Sequence, residues 1–139
     1  MRALLALVLV LANGCGGAAQ DPATLKGEVR FARGGGIAGL QQELVIAPDG
    51  RARVTSRGRT VERFRVTESQ RDAIARDLQS AGFATLPKDA SPGPPAPDDF
   101  GYRVTYRGHE SNAQGSRMPN RFARAIDTLS DVARTHGMR

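Results

Sequence analysis

The sequence contains a single cysteine, Cys15, no tryptophan, and only two histidines, His109 and His136. One cysteine excludes an intramolecular disulfide and a cysteine-based metal cage. A histidine zinc site would need both imidazoles to converge with a carboxylate, and nothing in their spacing requires this. We therefore expect no metal and no cofactor. The role of the single thiol has to be inferred from its position near the start of the sequence.

Motifs for catalysis are also missing. The sequence has no G-x-S-x-G turn for a serine hydrolase. Gly34-Gly35-Gly36 is not followed by Gly-Lys-Ser/Thr, and a strand is predicted after it, so a phosphate bound there would lack a helix dipole. Asp98 and Asp99 are adjacent carboxylates in a proline-rich stretch, which is typical of a solvated loop. We predict that the chain is not an enzyme, and a hydrolase is the weakest of the functions considered.

Lysine is nearly absent, because Lys26 and Lys88 are the only two. Arginine therefore supplies nearly all of the positive charge behind a formal net charge of +6. A surface for nucleic acid or anionic lipid is one interpretation. However, the arginines are spread along the chain without an RNA-binding aromatic motif or zinc-finger spacing. We favour solvent-exposed arginines without a shared ligand, and we expect no nucleic-acid partner.

The longest apolar run is short and lies at the start of the sequence. Met1-Arg2 is positively charged, and Ala3 to Ala12 contains only leucine, valine and alanine. This run is too short to cross about 30 Å of hydrocarbon as a helix, whereas its length is typical of a secretory signal peptide. The pattern predicts an exported protein.

The residues after this run suggest how the protein is retained. Leu11-Ala12-Asn13-Gly14-Cys15 resembles a bacterial lipobox, in which a small residue precedes a cysteine that is lipidated. We predict a signal peptide over residues 1–14, lipid on Cys15, and a flexible tether over residues 15–24. This places the protein on a bacterial membrane or in the cell envelope. A plain secretory signal cleaved after Ala18-Ala19 is the alternative.

Residues 25–137 are predicted to form one domain. Alternation of apolar and polar residues predicts strands that begin near Leu25, Leu40, Arg51, Val61, Phe100 and His109. A capping box at Thr67-Glu68-Ser69-Gln70 opens a helix, and Pro119 opens a second one. The proline-rich residues 88–99 are predicted to form an extended surface loop. This order of elements predicts an α+β fold, with an antiparallel sheet of about five to six strands and two helices packed on one face.

One segment resembles a known family. Residues 31–40 read Phe-Ala-Arg-Gly-Gly-Gly-Ile-Ala-Gly-Leu. They resemble the opening signature of the emfourin (protealysin inhibitor) family, in which a strand precedes Gly-Gly, an apolar residue, a small residue and Gly. Looser similarity covers about residues 27–134 and includes Gly82-Phe83, Leu86-Pro87 and Asp99-Phe100-Gly101-Tyr102. The lipid tether and the proline-rich insertion depart from the family pattern.

The resemblance implies a proteinaceous inhibitor of thermolysin-like metallopeptidases that occludes the active-site cleft. The implied inhibitory loop consists of Gly35, Gly36, Ile37, Ala38, Gly39 and Leu40. Ile37 or Leu40 would fill the apolar pocket beside the zinc ion, while the glycines permit close backbone approach. The loop over residues 88–99 is a second candidate contact surface.

Two alternatives to this interpretation remain open. In the first, the glycines of residues 35–40 are only those of a tight connection between strands, and Ile37 packs inward. In the second, the chain is a non-enzymatic lipoprotein that binds another component of the cell envelope or has a structural role there. The two membrane-anchored functions share the lipid on Cys15 and differ only in the partner, which is a metallopeptidase in the first and an unknown ligand in the second.

Overall fold

The computed structural model describes residues 24–94 and 96–138. The predicted signal peptide, Cys15 and nearly all of the predicted tether lie outside the described residues. The elements are β1 (Val29–Gly35), β2 (Leu40–Ile46), β3 (Arg51–Ser56), β4 (Arg59–Arg65), α1 (Glu68–Ser80), β5 (Phe100–Tyr106), β6 (His109–Gln114) and α2 (Asn120–Thr135). Short 3₁₀ turns follow α1 at Phe83–Thr85 and β6 at Gly115–Arg117.

All six strands form one antiparallel sheet in the order β4-β3-β2-β1-β5-β6. Strand β1 is central, and its Phe31 lies opposite Leu44 of β2 and Val104 of β5. Together with α1 and α2, this sheet confirms the predicted α+β fold at the upper end of the expected strand count.

The two faces of the sheet differ in what covers them. Successive side chains of a strand point to opposite faces, so Val29 and Phe31 lie in the core while Arg30 points away from it. Both helices bury their apolar stripes in the same cluster as Phe31, including Leu78 of α1 and Leu129 of α2. The helices therefore cover one face and leave the other without a helical layer.

The described part of the chain contains one contiguous hydrophobic core. Its buried residues form one contiguous cluster that begins at Leu25 and ends at Met138. Lys26 also fixes the start of the domain, because its backbone N–H donates to the Tyr106 hydroxyl at 3.0 Å. Since apolar burial supplies the main driving force for folding, we expect residues 24–139 to fold without residues 1–23.

The helix starts follow from local chemistry. The Gln70 N–H donates to Thr67 Oγ1 at 3.1 Å, and the Thr67 N–H donates to Gln70 Oε1 at 2.9 Å, which confirms the capping box. Pro119 is the N-cap residue of α2 rather than its first helical residue. Its position one residue earlier still suits proline, because no helical bond requires an N–H there.

In the segment over residues 88–99, residues 92–94 and 96–98 are exposed, as predicted for a surface loop, whereas the first residues differ from that prediction. Ala90 and Ser91 are buried. Asn112 of β6 donates its N–H to the Lys88 carbonyl at 2.7 Å and accepts the Ala90 N–H at 2.8 Å. The first residues of the segment thus pair with β6 in parallel and cover its free edge, which protects an unpaired strand from further association.

Strand β4 contains a β-bulge. The register between β3 and β4 shifts between Val54 and Thr55, so Val61 is an extra residue in β4. Val61 is 52% exposed, whereas Phe64 packs against the core. The spacing of Val61 and Phe64 therefore reflects a β-bulge, which accommodates one residue more than the partner strand.

Candidate functional site

The loop between β1 and β2 is a tight four-residue turn. The last strand pair joins Gly35 to Leu40. The Gly39 N–H then donates to the Gly36 carbonyl at 3.0 Å, with Ile37 and Ala38 between them. Gly35, Gly36 and Gly39 have φ values of 102°, 69° and 57°. Side chains disfavour these positive values, so the glycines are required by the backbone of the turn.

The structure separates the two candidate anchor residues of this loop. Ile37 stands at the tip with 92% of its surface exposed. Leu40 is half-buried at the start of β2 and shares the core face with Leu44. The alternative in which Ile37 packs inward is therefore excluded, and Ile37 is the apolar side chain that a partner can reach directly.

Strand β5 supports the base of the loop. A Cβ atom added to Gly36 would lie 3.0 Å from Cε1 of Phe100, and one added to Gly35 would lie 2.9 Å from the Asp99 carbonyl oxygen. The Arg33 guanidinium lies 5.3 Å from the centroid of the Phe100 ring and donates to Gln42 Oε1 at 2.8 Å. These contacts hold the β1 end of the turn against β5 and link β1 to β2 below the turn.

Asp99 fixes the start of β5 in turn. Its carboxylate accepts the N–H groups of Ser116 at 2.9 Å and of Phe100 at 3.0 Å, as well as the Ser116 hydroxyl. The hydroxyl bond is the largest cause that lowers the pKa of Asp99 below its ordinary value, followed by the backbone bond from Ser116. Adjacent Asp98 is exposed. The two carboxylates thus differ in role, and Asp99 is an anchor for the loop that supports residues 35–36.

The two histidines lie at opposite edges of the sheet. His109 is the first residue of β6, and its Nε2 is 2.8 Å from the Leu86 carbonyl oxygen. His136 Nδ1 is 2.8 Å from Glu62 Oε1 of β4, and its ring stacks on Phe64. Across residues 24–94 and 96–138, no three His, Cys, Asp or Glu side chains lie together in a group able to hold a metal ion.

Two surface depressions lie apart from the tip of the β1–β2 loop. One, of about 630 Å³, lies on the helix-free face over Gly34 and Gly101. The other, of about 660 Å³, lies between the end of α1 and β5, beside Thr85 and His109. Thr85 donates its hydroxyl to the Gly82 carbonyl, and His109 contacts a backbone carbonyl. The side chains of Thr85 and His109 thus form hydrogen bonds within the fold.

No protein-family model matches the chain, and no curated protein matches its sequence. Within the part of the chain that the structure describes, no helix has the length and apolar character needed to cross a membrane. The β1–β2 loop is therefore the feature of the described residues that bears most directly on function.

Proposed function

We propose that this protein is a lipid-anchored inhibitor of a thermolysin-like metallopeptidase and that it occludes the active-site cleft with its β1–β2 loop. The observation that carries the proposal is the position of Ile37, a large apolar side chain exposed at the tip of a glycine-defined turn. An apolar anchor that enters a pocket and is removed from water is the usual centre of a tight interface.

The turn is suited to binding without being cleaved. A peptidase acts on a peptide bond that lies extended in its cleft, whereas Ile37 and Ala38 lie within a turn closed by the bond from Gly39 to Gly36. The positive φ values of Gly36 and Gly39 on either side are far from an extended strand. The contacts with Phe100 and Asp99 hold this shape before binding, which reduces the entropy lost in the complex.

The first test is direct inhibition. Residues 24–139, added in near-stoichiometric amounts, are expected to abolish peptide hydrolysis by a thermolysin-like enzyme and to remain uncleaved on a gel. A serine peptidase assayed in parallel should keep its full rate, because it has no zinc-side pocket for Ile37. Unchanged hydrolysis across several thermolysin-like enzymes would contradict the proposal and favour a lipoprotein that binds another envelope component.

The proposed anchor has a separate test. Mass spectrometry of the native protein is expected to give a chain that begins at Cys15 and carries a thioether-linked diacylglycerol and an N-acyl chain. Two or more acyl chains are sufficient for stable membrane attachment. An unmodified Cys15, or a chain that retains residues 1–14, would contradict the anchor while leaving the inhibition assay unaffected.

A further inference from the structure

Four arginines that are distant in the sequence are neighbours on the helix-free face of the sheet. Arg51 and Arg53 of β3 lie directly opposite Arg65 and Arg63 of β4. They point away from the core, because the alternate residues of β3, Ala52 and Val54, are buried in it. We call these four residues the arginine block.

Like charges directly opposite each other in an antiparallel pair destabilise the sheet. At one end of the block this repulsion is relieved by Asp49, whose carboxylate lies 2.7 Å from Arg51 Nε and whose carbonyl accepts Arg65 Nη1 at 2.8 Å. The backbone hydrogen bond from Arg51 is the largest cause that lowers the pKa of Asp49, and the charges of Arg51 and Arg65 also contribute. No acidic side chain of the described residues forms an ion pair with Arg53 or Arg63. This pair therefore carries uncompensated positive charge.

A fifth arginine, Arg30 of β1, lies on the same face at the other side of β2. Val45 lies between Arg53 of β3 and Arg30 of β1 on the same face. Val45 is only 3% exposed although it lies outside the core cluster. The hydrocarbon stems of long charged side chains can cover an apolar residue while their charged ends stay in water. Arg30 is paired with Glu28 at 2.7 Å and with Glu43 at 3.8 Å, so the positive charge left without an ion pair in this row is that of Arg53 and Arg63.

The block lies at the end of the sheet where the chain enters. Val29, Ile46, Ala52 and Phe64 are level with one another across four strands, and the block lies beside this row. The β1–β2 loop lies at the other end of β1, about 20 Å away at about 3.4 Å per residue. A domain held through its first residues would thus keep the arginine block close to the membrane, with Ile37 at the opposite end of the sheet.

We propose that the arginine block binds the anionic phospholipid surface of the membrane on which the protein is anchored. The proposal rests on the proposed lipid anchor for its geometry. Guanidinium groups bind phosphate oxygens through two parallel hydrogen bonds. Several arginines on one helix-free sheet face suit a planar array of head groups. Binding would hold the domain in one orientation relative to the membrane, with the inhibitory loop outside the contact surface at the far end of β1.

The test uses residues 24–139, which carry the hydrophobic core from Leu25 to Met138 and no lipid. The domain is expected to sediment with vesicles that contain phosphatidylglycerol but not with pure phosphatidylcholine vesicles, and to be released as salt screens the attraction. The double substitution R53Q/R63Q should weaken partitioning about 30-fold, since each arginine near an anionic surface contributes roughly a factor of five.

A matched control removes the same charge elsewhere. Arg76 of α1 and Arg124 of α2 are exposed on the helical side of the domain, and R76Q/R124Q should keep most of the binding. Thermal unfolding checks that both variants fold.

Three outcomes would overturn the proposal. They are equal losses in the two double variants, equal binding to neutral vesicles, and preferential binding of a single-stranded oligonucleotide with the same sensitivity to R53Q/R63Q. The vesicle assay contains neither peptidase nor acylated chain. If the domain does not bind vesicles, the inhibition and anchor tests can still succeed. If those tests fail, vesicle binding can still be measured.

Discussion

Replacing Ile37 with alanine is expected to weaken inhibition of a thermolysin-like peptidase about 50-fold, because three apolar carbons at about 0.8 kcal/mol each no longer enter the pocket. The substitution removes no contact within the domain, since Ile37 is 92% exposed. Its free energy of unfolding should therefore stay within about 0.5 kcal/mol of that of the parent protein. Inhibition constants and urea unfolding of the same preparations check both expectations.

A second exposed apolar residue provides the control. Val61 lies on β4, three strands away from β1, and is 52% exposed. Val61→Ala removes apolar surface from a part of the sheet that the proposed complex does not use, so it should inhibit like the parent protein. If Ile37→Ala inhibits as well as Val61→Ala, the tip of the loop is not the anchor, and residues 88–99 become the surface to examine.

The elements that sequence patterns predicted well are those set by near neighbours or by burial periodicity. Thr67 and Gln70 are three residues apart, so their reciprocal hydrogen bonds form within one turn of helix. Phe31 and Val104 belong to strands whose alternation distinguishes a core face from a polar face. Leu25 fits the same alternation but precedes β1, because the chain turns at Gly27 before the strand begins at Val29.

Features that depend on strand register could not be predicted from local sequence patterns. Arg51 and Arg65 are fourteen residues apart, and their adjacency requires the pairing of β3 with β4 across a bulge. The pairing of Lys88 and Ala90 with Asn112 likewise joins a proline-rich segment to a strand that comes later in the chain. A single sequence predicts which residues form strands, but pairing is set by tertiary packing.

The same distinction applies to the candidate site. A tight connection is one of the two interpretations that the glycines of residues 35–40 leave open, and the turn between β1 and β2 has that form. The direction of Ile37 could not be derived from them, since the path of the turn also depends on Asp99 and Phe100. These residues follow more than sixty positions later and contact the loop only because β5 pairs with β1.

Because the turn packs on β5, alanine substitutions at Gly35 and Gly39 should have different effects on stability and inhibition. Gly35 is required for close packing and for its positive φ, whereas Gly39 is required for its positive φ alone. At Gly35, an alanine would combine a φ of +102° with a Cβ only 2.9 Å from the Asp99 carbonyl oxygen. We expect Gly35→Ala to lower the free energy of unfolding by about 2–3 kcal/mol and to weaken inhibition, because the backbone of β1 or β5 must shift. At Gly39, φ is +57° and no atom lies within 4 Å of the added Cβ. Gly39→Ala should cost about 1 kcal/mol, which is the penalty of the left-handed region alone.

Urea unfolding and inhibition constants of the two alanine variants make the comparison, because the substituted atoms are the same. A larger effect at Gly35 than at Gly39 would mean that close packing on β5 determines the position of the loop. Equal effects would contradict this account. Both glycines would then be required only because of their positive φ values, and the contact between Gly35 and Asp99 would not determine the position of Ile37.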